Sequence, residues 1–497
     1  MKYRIWGIGA CIAVILLCLA ASGIGKSEIG KGTERNRYEQ HVEAEDKEPC
    51  THDENILCTH LPLVEIDTEG QEIPGRSIKD ENGRTIRGVK SADGQDEVRG
   101  IISIIDNKKT NNHADDAPAV ESRMKIHIRG NSSRSFDKTN FSIRLIDENG
   151  ENNPQSIMGM DAHHEWVLHG PYLDKTLMRN YMWYNIAGKI MDYAPNVRFC
   201  EVLVNGEYQG VYVMTESITA GKENSRLNFS VNKKDNTFTG YLLRLDRGSG
   251  NELKNIDTFT QYSLRTSLKI NIEYPGAKNL TPELINAITQ DFSYFEKSLY
   301  SYDYDDRKYG YKNLIDVDSF VDYFLINELT CNYDAGQYST YIYKGIDGKF
   351  RMCVWDFNSA CDGYQEEAMP PENFRMQNAV WYFMLTKDED FTDRIVSRYW
   401  ELRKKWFDEE YLCDYIDSVV DYLGSAIDRN YEKWGYSFDE KYDLLSPAER
   451  NLHSYEEAIS QMKDFLHKRI QWLDENIETI RQYSAESRIK KFNENAN

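Results

Sequence analysis

No block of lysine or arginine stands out in these 497 residues, and the formal charge is −21. A protein that tracks a phosphate backbone needs a basic stripe, so no nucleic-acid partner is expected. An acidic balance serves solubility first and leaves room for a basic protein partner. No internal repeat is visible. No cysteine directly follows the small residues ending at Gly23, which speaks against lipoprotein-type cleavage there. What is present is a globular composition: 40% hydrophobic, 12% aromatic, with 33 tyrosines to line a wide, partly polar interior. The length allows two or three average domains, or one large domain with insertions.

Lys2 and Arg4 precede an uncharged run over 5–24 that ends in Ala20, Ala21, Ser22 and Gly23. This order reads as an export signal. The run is also close to the ~20 residues that span a bilayer, so an uncleaved anchor is the alternative. The expected location is outside the cell or on its surface, with membrane contact only through this segment. Residues 25–48 are polar and aperiodic and read as a flexible tether. Cys50 and Cys58 bracket a short polar loop and suit a disulfide in an oxidising compartment. With His52 and His60 nearby, a metal knot is the alternative, although neither histidine takes finger spacing. Cys200, Cys331, Cys353, Cys361 and Cys413 sit among apolar neighbours and read as buried thiols.

Folded structure is expected from about residue 61. Met124, Ile126 and Ile128 alternate with polar residues, as do Phe141, Ile143 and Leu145, which predicts two strands around a loop over 129–138. A helix is predicted over 173–191. The pair 197–204 and 211–214 around Asn205-Gly206 predicts a hairpin, because Asn-Gly accepts the positive φ angles of its turn. A strand over 241–245 runs into Asp246. A helix from Asp316 runs out at Asn332, and a second hairpin follows: 338–344, a turn at Asp347-Gly348, and 350–354. Beyond Tyr364 the pattern is mostly amphipathic helix. The class is α+β, strand-rich first and helical second, with a core over 49–365 and a helical part over 366–497 packed on it.

The second hairpin carries the chemistry. An antiparallel hairpin returns the chain to its starting end, so Asp334 before it and Asp356 after it should meet. Two converging carboxylates can hold a divalent metal or divide into a base and a metal ligand, though aspartates also simply cap turns. The 129–138 loop, with Gly130, three serines, Arg134 and Lys138, offers backbone donors and cations for a polyphosphate. It is neither a Walker motif nor a glycine triplet. His163, His164 and His169 near Trp166 read as local hydrogen-bonding groups, and Trp183, Trp355 and Trp400 as core or pocket walls.

These stretches resemble the CotH family of atypical kinases, which are secreted or surface proteins. The resemblance rests on 128–138 (IRGNSSRSFDK), Trp166 with 177–180 (LMRN), 204–212 (VNGEYQGVY) leading to Glu216, 332–334 (NYD) and 354–357 (VWDF), in family order. It implies an atypical protein-kinase-like fold that transfers the ATP γ-phosphate to Ser or Thr of a surface, coat or secreted protein with Mg²⁺ or Mn²⁺. The acceptor is expected to be a protein, with a basic, Ser/Thr-rich one in view. By the same resemblance Lys138 reaches the ATP phosphates, supported by Arg129 and Arg134 and held by Glu216. Asp334 matches the catalytic aspartate and Asp356 the metal-binding one. The chain departs from the pattern at Ser339, where an asparagine ligand is common, at Asn358, where a second acid is common, and at Arg244, where a glutamate is common. These changes support an alternative, a kinase-fold surface scaffold or adhesin with little or no turnover. Sugar hydrolysis by the aspartate pair leaves Lys138 and its loop unexplained.

Overall fold

The computed structural model describes residues 37–48, 50, 56–220, 227, 240–247, 255–256, 268–345, 348–363 and 367–485. The hydrophobic run over 5–24 lies outside them. Among the described residues, no helix is long and apolar enough to cross a membrane.

Alternating residues in the first half close a seven-stranded barrel. Its order is Glu165–His169, Glu207–Glu216, Val197–Val204, Leu63–Asp67, Val98–Ile105, Val120–Arg129 and Asn140–Ile146, back to Glu165–His169. All pairings but one are antiparallel; Val197–Val204 runs parallel to Leu63–Asp67. The period of two sends Met124, Ile126, Ile128, Phe141, Ile143, Trp166, Tyr212 and Met214 into the barrel. Val211 and Val213, alternating with Tyr212 and Met214 on the same strand, face the helical half instead. The Asn-Gly hairpin forms as expected, with φ of 50° at Asn205 and 78° at Gly206.

A second, five-stranded antiparallel sheet carries the functional hairpin. Its order is Asn255–Ile256, Leu268–Tyr274, Tyr241–Arg247, Thr340–Lys344 and Arg351–Cys353. The hairpin strands match the expected ones; Asp347 of the expected turn is outside the described residues. The helix Val317–Leu329 starts where Asp316 accepts the Ser319 N–H. Asp316 also takes Arg351 Nε and Nη2 at 3.0 and 2.9 Å, tying the helix start to the hairpin's return strand.

Two expectations are corrected here. The helix predicted over 173–191 covers only Arg179–Ile190. Asp174 caps its own downstream N–H groups and Leu177 has φ 65°, so the chain turns before it coils. Residues 37–48 are not a loose tether. Arg37 donates to the Ala194 and Tyr184 carbonyls at 2.6 and 3.1 Å. Gln40 exchanges two hydrogen bonds with the Phe199 backbone, and Glu39 pairs with Lys189 at 2.7 Å. Arg37, Glu39 and Gln40 anchor the start of this segment through polar contacts, while residues 42–46 are exposed.

The C-terminal helices Glu389–Arg403, Glu409–Leu423, Ser425–Trp434 and Tyr455–Asn476 share one apolar core with Arg179–Ile190 and Val317–Leu329. Ser425–Trp434 lies against the Glu207–Glu216 strand at Gly210. A Cβ on Gly210, whose φ is 94°, would stand 2.5 Å from Asn430 Oδ1. That oxygen accepts from Lys138 Nζ at 2.7 Å and from the Val211 N–H at 3.1 Å. Replacing Asn430 with alanine leaves a buried ammonium without its acceptor, and a stability loss of about 1.5–3 kcal/mol is expected in denaturant titration.

Candidate active site

The turn after the hairpin is built by the Arg179–Ile190 helix. Asp356 has φ 63°, a conformation that aspartate tolerates better than most residues. Its N–H donates to Tyr184 Oη at 3.0 Å, and the next N–H, of Phe357, donates to Asn180 Oδ1 at 2.8 Å. Asn180 Nδ2 donates in turn to Asn358 Oδ1 at 3.0 Å, and Asn358 hydrogen-bonds the Asp356 carboxylate. Neighbouring Arg179 is buried, pairs with Asp174 at 2.6 Å and donates to the Ala360 carbonyl at 2.8 Å. The aspartate is therefore aimed by backbone and second-layer hydrogen bonds before any ligand arrives.

The expected meeting of the two aspartates occurs. Burial, then Asp356 and Asp246, push the Asp334 carboxyl up to about 7, against the pull of Arg247 and Arg375. Burial also raises Asp356, with Arg129 and the Asn358 hydrogen bond pulling the other way. Asp246 thus completes an acidic trio that sequence reasoning did not assign. It is the last residue but one of the Tyr241–Arg247 strand, which pairs with Thr340–Lys344 in the sheet. Only that pairing, with Leu245 opposite Thr340, brings it to the site. Arg244 lies against Asp246 and Glu273 at 3.3 and 2.9 Å, so a cation replaces the expected acid but two carboxylates hold it.

Arg129 lies near enough to Asp356 to favour its charged form. Its guanidinium lies 5.4 Å from the Trp355 ring centre. Trp355 packs on His169, Tyr184 and Tyr341, forming the wall expected of it. Burial and Arg129 push His169 down to about 3, so it stays neutral, and its Nε2 is buried with no hydrogen-bond partner among the described residues. Arg134 and Arg87 continue the cationic loop beside Arg129, and Arg134 Nε is likewise unpartnered.

The proposed lysine–glutamate pair does not form. Lys138 donates to Asn430 and lies over Tyr212, 5.2 Å from the ring centre. Burial, with Lys175 beside it, holds its ammonium well below the usual lysine range. Glu216 sits opposite Trp166 and accepts the Asn196 N–H at 2.9 Å. Lys138 is next to Gly210, six residues away along the same strand, or roughly 20 Å of extended chain. The register separates them. Ser339 stands at φ 45° just before its strand, and no hydrogen bond joins its hydroxyl to either aspartate among the described residues. Asn358, expected as a metal ligand, has its carbonyl oxygen engaged by Asn180. A cavity of about 620 Å³ bordered by Tyr38, Lys47, His60 and Tyr422 holds none of these residues.

Asp334, Asp356 and Asp246 are hard oxygen donors of the kind Mg²⁺ and Mn²⁺ prefer, and burial first, then repulsion from Asp356 and Asp246, raises Asp334. That upward shift has a thermodynamic sign. A carboxyl whose folded pKa exceeds the unfolded one binds its proton more tightly in the folded state, so metal-free stability falls as pH rises from about 4 to about 7. Asp334→Asn is expected to raise the melting temperature at pH 8 and to flatten its pH dependence over that window, as read by calorimetry.

Barrel, helical half and aspartate-bearing hairpin together define an α+β fold of the atypical kinase class. A family model described as CotH kinase protein matches residues 126–473, and the chain belongs to that family. The match extends through most of the late helices. Inner spore coat protein H of Bacillus subtilis (strain 168) is 23% identical over 256 residues, covering 49% of this chain and 62% of that protein.

Proposed function

We propose that the chain is an exported protein kinase that moves the ATP γ-phosphate to a Ser or Thr hydroxyl of a surface or coat protein. The reading rests on one observation above all: the hairpin delivers Asp334 and Asp356 to one place, with Arg129 against Asp356. Asp334, whose raised pKa suits a base near neutrality, orients the acceptor hydroxyl and takes its proton. Arg129, with Arg134 and Arg87 behind it, binds the triphosphate. Asp356 and Asp246 are the carboxylates that would hold Mg²⁺ or Mn²⁺, which when bound neutralises charge on the phosphates. Trp355 and His169 exclude water from one side. Phosphoryl transfer needs little more than such alignment and charge neutralisation.

The basic N-terminal start and apolar run over 5–24 support export, and the charge of −21 suits a basic acceptor. The relative named as an inner spore coat protein makes a coat-type acceptor the first to try. Incubation of the full chain with γ-labelled ATP, Mn²⁺ and a basic Ser/Thr-rich protein is expected to label the acceptor, and ATP–Mn²⁺ to raise the melting temperature. Nucleotide stabilisation without labelling would favour the scaffold reading, in which Ser339 and the engaged Asn358 leave the metal too weakly held. Absence of both labelling and nucleotide stabilisation would overturn the kinase reading.

A further inference from the structure

Away from the aspartates, three side chains with metal-binding atoms converge beside the barrel. Cys58 and His113 are directly opposed across the two-stranded pair Cys58–Thr59 and Asn112–His113. Such opposition sets their β-carbons ~4.5–5.5 Å apart. Cys50 enters from the preceding segment with Sγ 2.9 Å from His113 Nε2. One ligand atom from each of the three lies within 4.8 Å of the others. His60, expected at a metal knot here, instead contacts the Tyr422 carbonyl at 2.6 Å, and His52 lies outside the described residues.

The other ring nitrogen supplies an independent sign of a ligand. His113 Nδ1 faces Asp116 Oδ2 at 3.2 Å. That oxygen also accepts the His113 N–H at 2.9 Å and Asn107 Nδ2 at 2.8 Å, so the carboxylate is fixed in place. A carboxylate on the far nitrogen sets the tautomer that leaves Nε2 as a lone-pair donor, and is the usual companion of a metal-bound histidine. Asn111 Nδ2 points at Cys58 Sγ from 3.1 Å, a contact that stabilises a thiolate.

We propose that Cys50, Cys58 and His113 bind zinc, with Asp116 positioning the histidine and water in the fourth place. Two thiolates and one imidazole select zinc over the magnesium or manganese that carboxylates favour, so the chain would sort its two metals by donor type. On binding, two S–H protons leave to solvent, two Zn–S bonds and one Zn–N bond form, and nothing is oxidised. The site staples the N-terminal segment to the barrel beside existing ties, the Glu48–Thr110 bridge and the Lys47 ammonium on the Lys108 carbonyl at 3.3 Å. It is independent of the kinase reading.

The test is elemental analysis of the reduced full chain after zinc loading and desalting. About one zinc per chain is expected, lost in Cys50→Ser and in Cys58→Ser and kept in Cys413→Ser. Cobalt substitution is expected to give a thiolate-to-cobalt charge-transfer band in the wild-type chain, a readout that needs no variant to fold. Asp116→Asn is expected to weaken zinc roughly 10–100-fold against a competing chelator while the fold persists. Zinc-free protein after loading, zinc retained by both cysteine variants, or a Cys50–Cys58 disulfide in the isolated protein's non-reducing peptide map would each overturn the proposal.

Discussion

Asp356→Asn is expected to abolish ATP–Mn²⁺ stabilisation and turnover together, whereas Asp334→Asn should keep the first and lose the second. The difference follows from where each carboxylate sits. Asp356 is locked by the Tyr184 and Asn180 hydrogen bonds and faces Arg129, so its charge is the one aimed at metal and phosphate. Losing it should lower kcat/KM by roughly 10²–10³ or more, the scale of a lost electrostatic contact in a preorganised site. Asp334 lies in the turn that precedes the outgoing strand, where its own carbonyl accepts the Gln337 and Tyr338 N–H groups. Its side chain is left for the acceptor, and removal of a general base costs about 10²–10⁴ in kcat. Asparagine is the right replacement at 356, because it adopts the φ of 63° without new strain. Labelling assays run beside thermal shift with and without ATP–Mn²⁺ separate the two outcomes. Equal loss of nucleotide stabilisation in both variants would cancel the division of roles while leaving the site in place.

Arg469→Met is expected to cost about 3–5 kcal/mol of stability, the largest effect of any single change outside the site. Arg469 and Glu328 form a fully buried ion pair in the core. The guanidinium also donates to the Glu328 carbonyl at 2.8 and 3.0 Å and to the Pro371 and Asn373 carbonyls at 2.7 and 2.8 Å. Glu328 accepts the Arg375 and Met376 N–H groups at 2.8 and 2.7 Å. Removing the arginine strands a buried carboxylate and several carbonyls at once. Glu328 is in the last turn of the helix that leads to Asn332 and Asp334, so the loss should reach activity as well. Glu328→Gln keeps the shape but not the charge and is expected to lose less. Denaturant titration of both variants measures the difference; equal stability to wild type would mean that the pair is replaceable by solvent.

Local pattern made much of this legible. Alternation located the strands around the 129–138 loop, Asn205-Gly206 announced its hairpin, and Asp316 announced its helix. Returning the chain through 340–353 was enough to pair Asp334 with Asp356. Reading failed where partners are far apart in the chain. Lys138 was assigned to Glu216 by motif order, but strand register sends it to Asn430, 292 residues away. The anchoring of residues 37–40 was hidden because hydrophobicity does not reveal that Gln40 completes a buried backbone at Phe199. Asp246 lies near the end of an ordinary strand, and nothing local distinguishes it from a solvent-facing turn residue.

By itself, then, the sequence determined the α+β order, the hairpins and the two aspartates, since these depend on period, turn chemistry and short loops. Tertiary structure alone decided the barrel's closure, the third acid, the partner of Lys138 and the meeting of Cys50, Cys58 and His113. Those depend on which strands lie side by side and in what register, and register is set by burial of whole faces rather than by neighbouring residues.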